Sequence, residues 1–185
     1  DLAAVASYRE DRAHLPMSAS LYASPPGKGA VVDRLDVMIL GAAEIDTRFD
    51  VTVTAIGGGR IIGGSGGHAD TAAGAKLAIV TTKLTAGLNP KIVDRVECIS
   101  TPGSTIDVVV AEAGVAVNPR RADLMDALGR DGVPLVTIDA LKRLAAEAAG
   151  DPPARPRPAG RIVAVVEYRD GSVIDVVRRP ISGAV

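Results

Sequence analysis

Five short apolar runs constrain this chain more than any other feature: Leu35–Leu40 (LDVMIL), Val51–Ile56 (VTVTAI), Leu77–Val80 (LAIV), Ile106–Ala111 (IDVVVA) and Leu135–Ile138 (LVTI). Runs of four to six residues rich in Val and Ile suit strands buried in a mostly parallel sheet. Helical signals separate the later ones. Asn118-Pro119 reads as a helix opening, because Asn caps and Pro fits a first turn whose N–H groups lack partners. Leu124, Met125 and Leu128 then mark one face, with Gly129 or Gly132 as the stop. Asp139 is a candidate cap for a second helix with a Leu141, Leu144, Ala145, Ala148 stripe ending at Gly150. Asp170-Gly171 joins two alternating Val-rich runs, Arg161–Tyr168 and Ser172–Arg179, and predicts a β-hairpin. The fold class expected is α/β: an open, mostly parallel sheet with flanking helices and a C-terminal β-hairpin. Residues 1–150 form the α/β domain, 151–160 (GDPPARPRPAG from Gly150) a proline-rich linker, and 161–185 a small hairpin appendage. Upstream, residues 1–16 read as a polar, helical lead-in and 17–28 as a loop.

Composition removes several functions. The formal net charge is −1, so no electrostatic case for nucleic acid or an acidic membrane exists. Aromatics are 2% with no Trp, which argues against stacking platforms for bases. A single cysteine precludes an intrachain disulfide framework, and two distant histidines make no metal motif. No run of ~18 apolar residues spans a bilayer, and Asp1-Leu2-Ala3-Ala4 does not read as a signal peptide. A soluble cytoplasmic protein is the expectation.

The densest chemical signal is Gly57–Lys76, GGGRIIGGSGGHADTAAGAK, with seven glycines in its first eleven positions. Gly64, Gly66 and Ala69 meet only the loose G-x-G-x-x-A pattern, and the P-loop spacing is missing. Physically, such a loop either packs a helix tightly on a strand or offers backbone N–H groups to an anion or a developing oxyanion. Asp70 is the expected cap of a short helix through Lys76, and His68 is either a brace or a general base. Glu44 and Asp46 (GAAEID) follow a buried strand, where open α/β sheets bind ligands; the other reading is a turn with acidic caps. Asn118, Arg120 and Arg121 follow another apolar run and either face an anionic ligand or solvent. Cys98 reads as buried packing.

Taken together, MSASLYASPPGKGAVVDRLDVMILGAAEIDTRFDVTV, GGSGGHADTAAGAK, TPGSTIDVVVAEAGVAVNPRRADL and VAVVEYRDGSVIDVV closely resemble, in register, the citrate lyase alpha chain family, the citrate CoA-transferase subunits. The resemblance covers only the C-terminal part of that family's chain, which implies a piece of a longer protein. It implies a CoA-transferase-like fold and the exchange of acetate for citrate on an acyl-carrier thioester, by direct carboxylate attack through a mixed anhydride. The partners implied are the acyl carrier (gamma) and lyase (beta) subunits of an oligomeric complex. This chain is expected to bind no cofactor itself and to act on CoA or a CoA-like prosthetic group of the carrier. On that reading Glu44 and His68 are the candidate catalytic residues. Gly64, Ser65, Gly66, Gly67, Asp70, Thr71, Asp46, Asn118 and Arg120 are the candidates for binding substrate or CoA, with Ser18-Ala19-Ser20 as a second surface. A transferase for another acid such as citramalate and a non-catalytic scaffold are the alternatives. One departure stands out: Thr52 and Thr54 occupy positions where the family usually shows V-N-V, which bears on substrate preference.

Overall fold

The structure is a computed structural model that describes residues 2–24, 29–150 and 160–179. Helix α1 (Leu2–Glu10) leads in and α2 (Ala19–Ala23) follows, capped by Ser18, whose hydroxyl accepts the Leu21 N–H at 3.1 Å. This short helix lies inside the segment expected to be a loop. A 3-10 turn at Val31–Arg34 then feeds β1 (Val37–Gly41). Next come β2 (Glu44–Asp46), β3 (Val51–Thr52), β4 (Ala55–Ile56), β5 (Arg60–Ile61) and α3 (His68–Gly74). The central strand β6 (Leu77–Thr81) is followed by β7 (Thr85–Ala86), β8 (Asn89–Pro90) and β9 (Ile92–Val93). Strands β10 (Val108–Ala111) and β11 (Gly114–Val117) precede α4 (Ala122–Arg130) and α5 (Ile138–Ala149). The hairpin of β12 (Ile162–Glu167) and β13 (Val173–Arg178) comes last.

The main sheet has the order β1-β6-β10-β11, with β1, β6 and β10 parallel and β11 antiparallel. A second, three-stranded sheet runs β3-β2-β9. Between them lies one apolar core built on Ile45, Val51, Val80, Ile92, Val109 and Leu141, each at most 1% exposed. Helix α5 closes the core with Ile138, Leu141, Ala145 and Ala149, a stripe at three- and four-residue steps. Burying one such Leu or Ile side chain stabilises the fold by about 1.5–3 kcal/mol.

Local chemistry explains where the pattern misleads. Val51–Ile56 is two strands rather than one, because the Thr52 hydroxyl donates to the Ala55 carbonyl (2.9 Å) and accepts the Ala55 N–H (3.3 Å), folding the chain into a side-chain-closed turn. Leu135–Ile138 is not a strand: Leu135 makes a single bridge to Val115, and Ile138 already belongs to α5. The cap of α5 is Thr137, whose hydroxyl accepts the Ala140 N–H at 3.1 Å, not Asp139. Helix α4 starts three residues later than expected. Asn118 accepts the Arg120 N–H with its side chain and the Arg121 N–H with its carbonyl, which makes a turn before the helix. The linker assigned to 151–160 lies outside the described residues but for Gly160. The hairpin forms as expected, yet it is fastened to the body: Asp175 accepts the Ile99 N–H at 2.8 Å, and Val177 and Val166 pack with Ala55 and Cys98.

Close backbone approach fixes one glycine. A Cβ on Gly103 would lie 2.0 Å from the Arg48 carbonyl oxygen, on the turn where Phe49 takes a φ of 68°. Gly103→Ala is therefore expected to destabilise the chain by about 3 kcal/mol, read as a lower denaturation midpoint in urea. An unchanged midpoint would show that this turn yields without cost.

Candidate functional site

The site grows from the carboxyl end of β1. Beyond Gly41 the chain leaves the sheet, and the Gly-rich loop returns to it through the N-terminus of α3. His68 makes that junction. Its Nε2 lies 2.9 Å from the Gly41 carbonyl oxygen and its Nδ1 2.7 Å from the Thr101 hydroxyl. A carbonyl only accepts, so Nε2 carries the proton and Nδ1 accepts from Thr101. Burial, partly offset by the Gly41 bond, holds the imidazole pKa below its ordinary value and favours the neutral ring. With both nitrogens hydrogen-bonded and 9% exposure, His68 braces the loop in this structure, the first of the two readings open to it.

That brace leaves the loop open. The Gly63 N–H donates to the Thr54 carbonyl at 3.4 Å, and the His68 N–H to the Ser65 carbonyl at 3.1 Å. The N–H groups of Gly64, Ser65, Gly66 and Gly67 donate to no acceptor among the described residues. Gly64, Gly66 and Gly67 are exposed and Ser65 is half-buried. Gly66 takes a φ of +52°, which an unbranched backbone adopts without strain. Helix α2 lies alongside, with the Tyr22 ring 3.8 Å from where a Gly67 Cβ would stand.

The other expected residues sort by burial. Asp46 is fully buried, and its carboxylate accepts the N–H groups of Arg48 (2.8 Å), Asp50 (3.1 Å) and Val96 (3.2 Å); it staples a turn and cannot meet a ligand. Desolvation raises its pKa. Glu44 follows the carboxyl end of β1 by three positions, as expected, and stands at the start of buried β2, at 4% exposure, where its charge acts on Lys91. Thr71 donates its hydroxyl to the carbonyls of Gly67 (2.9 Å) and His68 (3.1 Å) and is buried. Asp70 does not cap α3: the cap position is Gly67, and Asp70 sits in the first turn, 3.7 Å from Arg169. Asn118 bonds the carbonyls of Gly103 and Ile106 at the amino end of β10, with exposed Arg120 beside it. Both lie a strand length, about 13 Å, from the carboxyl ends of the parallel strands. Arg121 is committed to Asp107 (2.9 Å) and Asp123 (2.9 Å). Cys98 is buried, and its thiol is pushed up to about 11 by burial first, then by Asp175 and Glu97. Among the described residues no cluster of three metal-ligating side chains occurs, and no helix is long and apolar enough to cross a membrane.

A family comparison decides what this arrangement belongs to. The model of the family "Citrate lyase, alpha subunit (CitF)" matches residues 1–180. The chain belongs to the citrate lyase alpha subunit family. The citrate lyase alpha chain of Klebsiella pneumoniae is 46% identical over 179 residues, 95% of this chain and 34% of that protein. That of Escherichia coli K12 is 46% identical over 169 residues, 90% of this chain and 32% of its own length. The chain thus spans about a third of the curated relatives it matches. A solved structure described as the citrate lyase alpha subunit of Streptococcus mutans, in complex with citrate, superposes with a TM-score of 0.89 at 44% identity. It covers 97% of this chain and 35% of that one.

Seen as a member of the citrate lyase alpha family, the chain explains its own departure. Thr52 closes the turn already described, and the Thr54 hydroxyl bonds Ser100 at 2.9 Å, so both hydroxyls serve the fold. The residue that sequence reasoning passed over is Lys91. With Lys83, Glu112, Thr81 and Gly41 it lines an open groove of about 680 Å³ at the carboxyl ends of β1, β6 and β10. Burial lowers the Lys91 pKa, against the fields of Glu112 and Glu44. Only the β7–β8 hairpin, invisible as an apolar run, turns Lys91 back toward the sheet.

The His68 brace has a pH signature. Its folded pKa is depressed below 6.5, so the unfolded chain binds the proton first and stability drains as pH falls through and below that value. Urea midpoints are expected to drop between about pH 7.5 and about pH 5.5, and His68→Gln to flatten that slope. An equally steep slope in the variant would place the titration elsewhere.

Proposed function

We propose that this chain supplies the acyl-holding part of a citrate CoA-transferase, exchanging acetate for citrate on a CoA-like thioester. The observation that carries the reading is the row of four undonated N–H groups at Gly64–Gly67 beside the carboxyl end of β1, in a chain of the citrate lyase alpha family. The solved relative with citrate bound supports the choice of acid.

The chemistry follows from the geometry. A citrate carboxylate oxygen attacks the acetyl thioester carbon, and negative charge builds on the carbonyl oxygen. Backbone N–H groups without an internal acceptor can stabilise that charge, each by about 3 kcal/mol. Collapse breaks the C–S bond and gives a mixed citric–acetic anhydride and a thiolate. The thiolate then attacks the citryl carbonyl and acetate leaves, so no protein nucleophile is needed. This fits a site whose buried histidine has no free nitrogen. The thiol belongs to a CoA-like prosthetic group of an acyl carrier subunit, and a lyase subunit takes the citryl thioester onward. The complex works in the cytoplasm as an oligomer.

Gly66→Val tests the loop. At φ +52° a β-branched residue is strained and stands over the neighbouring N–H groups. Transfer of acetyl from an acetyl thioester to labelled citrate is measured on this chain supplemented with the region of its relatives that it does not span. The variant is expected to lose at least ~10²-fold in kcat. Full turnover in Gly66→Val removes the loop from the reaction, and no turnover in the unaltered chain so supplemented favours a scaffold.

A further inference from the structure

The C-terminal hairpin holds both ends of the Gly-rich loop. On the entry side, β13 places Val177 against Ala55 of β4 and Cys98, and Asp175 accepts the Ile99 N–H at 2.8 Å. On the exit side stands the hairpin tip. Its turn is tight: Tyr168 N–H donates to Ser172 (2.7 Å), Gly171 N–H to Tyr168 (2.9 Å), and Asp170 accepts both the N–H and the hydroxyl of Ser172. Gly171 takes the φ of +85° that this closure requires. The turn presents Arg169 to three segments at once. Its guanidinium lies 3.4 Å from the Ala23 carbonyl at the end of α2, 3.5 Å from Asp33, and 3.7 Å from Asp70 in the first turn of α3.

The Arg169 side chain is 14% exposed, and its Nε is buried with no hydrogen-bond partner. A charged donor left unpaired out of water is costly. That nitrogen lies 3.7 Å from the Asp70 carboxylate, which α3 carries three residues past Gly67. A small advance of the tip closes the gap and pulls on the helix that begins at His68. The same guanidinium reaches α2, which borders Gly67.

We propose that Arg169 is a positioning residue: through Asp70 it locks the start of α3, and with it the Gly64–Gly67 amides, in the orientation that receives the acyl oxygen. The inference rests on the acyl-transfer reading for its kinetic consequence, while its structural consequence is independent of that reading. The hairpin is a strap across the site rather than an appendage.

Hydrogen exchange by mass spectrometry on the chain tests the lock. Arg169→Ala is expected to speed exchange in the peptide spanning Thr71–Ala75 by about tenfold while the α5 peptide keeps its rate. In an Asp70→Asn background, Arg169→Ala is expected to add less than about twofold, because the partner is already gone. Acceleration shared equally by α5, no acceleration in α3, or additive effects of the two substitutions each overturn the proposal. In the supplemented transfer assay, Arg169→Ala is expected to lower kcat about tenfold or more with the KM for citrate within about twofold. A raised KM at unchanged kcat makes Arg169 a binding group instead and overturns its positioning role. No transfer in the unaltered chain sinks the function, and the exchange data then judge the strap alone.

Discussion

The whole arrangement turns on one neutral imidazole. His68 ties the carboxyl end of β1, through Gly41, to the segment around Thr101, and it stands at the first position of α3. Because a side chain anchors the loop's end, the loop itself needs few internal hydrogen bonds. Four consecutive N–H groups remain available where a parallel sheet opens at its carboxyl edge.

Across the domain the buried polar groups are consumed by structure. Asp46 gathers three N–H groups, Thr71 satisfies two carbonyls, Asn118 bonds two more, and Thr52 closes a turn. Acidic, hydroxyl and amide side chains near a glycine loop look like ligand-binding groups in one dimension. In three they hold an irregular backbone in place and leave the N–H groups of Gly64–Gly67 without an internal acceptor. The carboxylate exchange proposed above brings its own nucleophile and asks for main-chain dipoles rather than a titrating side chain.

Much of this was legible from residues alone. Leu35–Leu40, Leu77–Val80 and Ile106–Ala111 announced the parallel strands because they are short and apolar, although β1 at the sheet edge leaves Val37 and Ile39 exposed where burial was expected. Asp170-Gly171 announced the hairpin because two-residue turns of that kind match strand twist. The two-residue strands at 85–90 escaped, since Thr85, Asn89 and Pro90 carry no apolar period. The run Gly64–Gly67 was legible as backbone without side chains. The internal partners of His68, Asp46, Thr71 and Asn118, the place of Asp70 in the first turn of α3 and that of Arg120 beside the amino end of β10 were not, because sequence order does not say which partners a side chain meets or at which end of a strand it falls. Arg169 was visible only as part of a turn; its reach to Asp70 spans ninety-nine positions and needs the fold.

The central claim is that the free main-chain amides of the loop receive an anionic oxygen. Amide chemical shifts of Gly64, Ser65, Gly66 and Gly67, followed by NMR while an acetyl thioester is titrated into the chain, address it directly. The account predicts saturable shifts concentrated at these four N–H groups. Shifts that leave the four amides unmoved while the thioester binds elsewhere in the chain would contradict it.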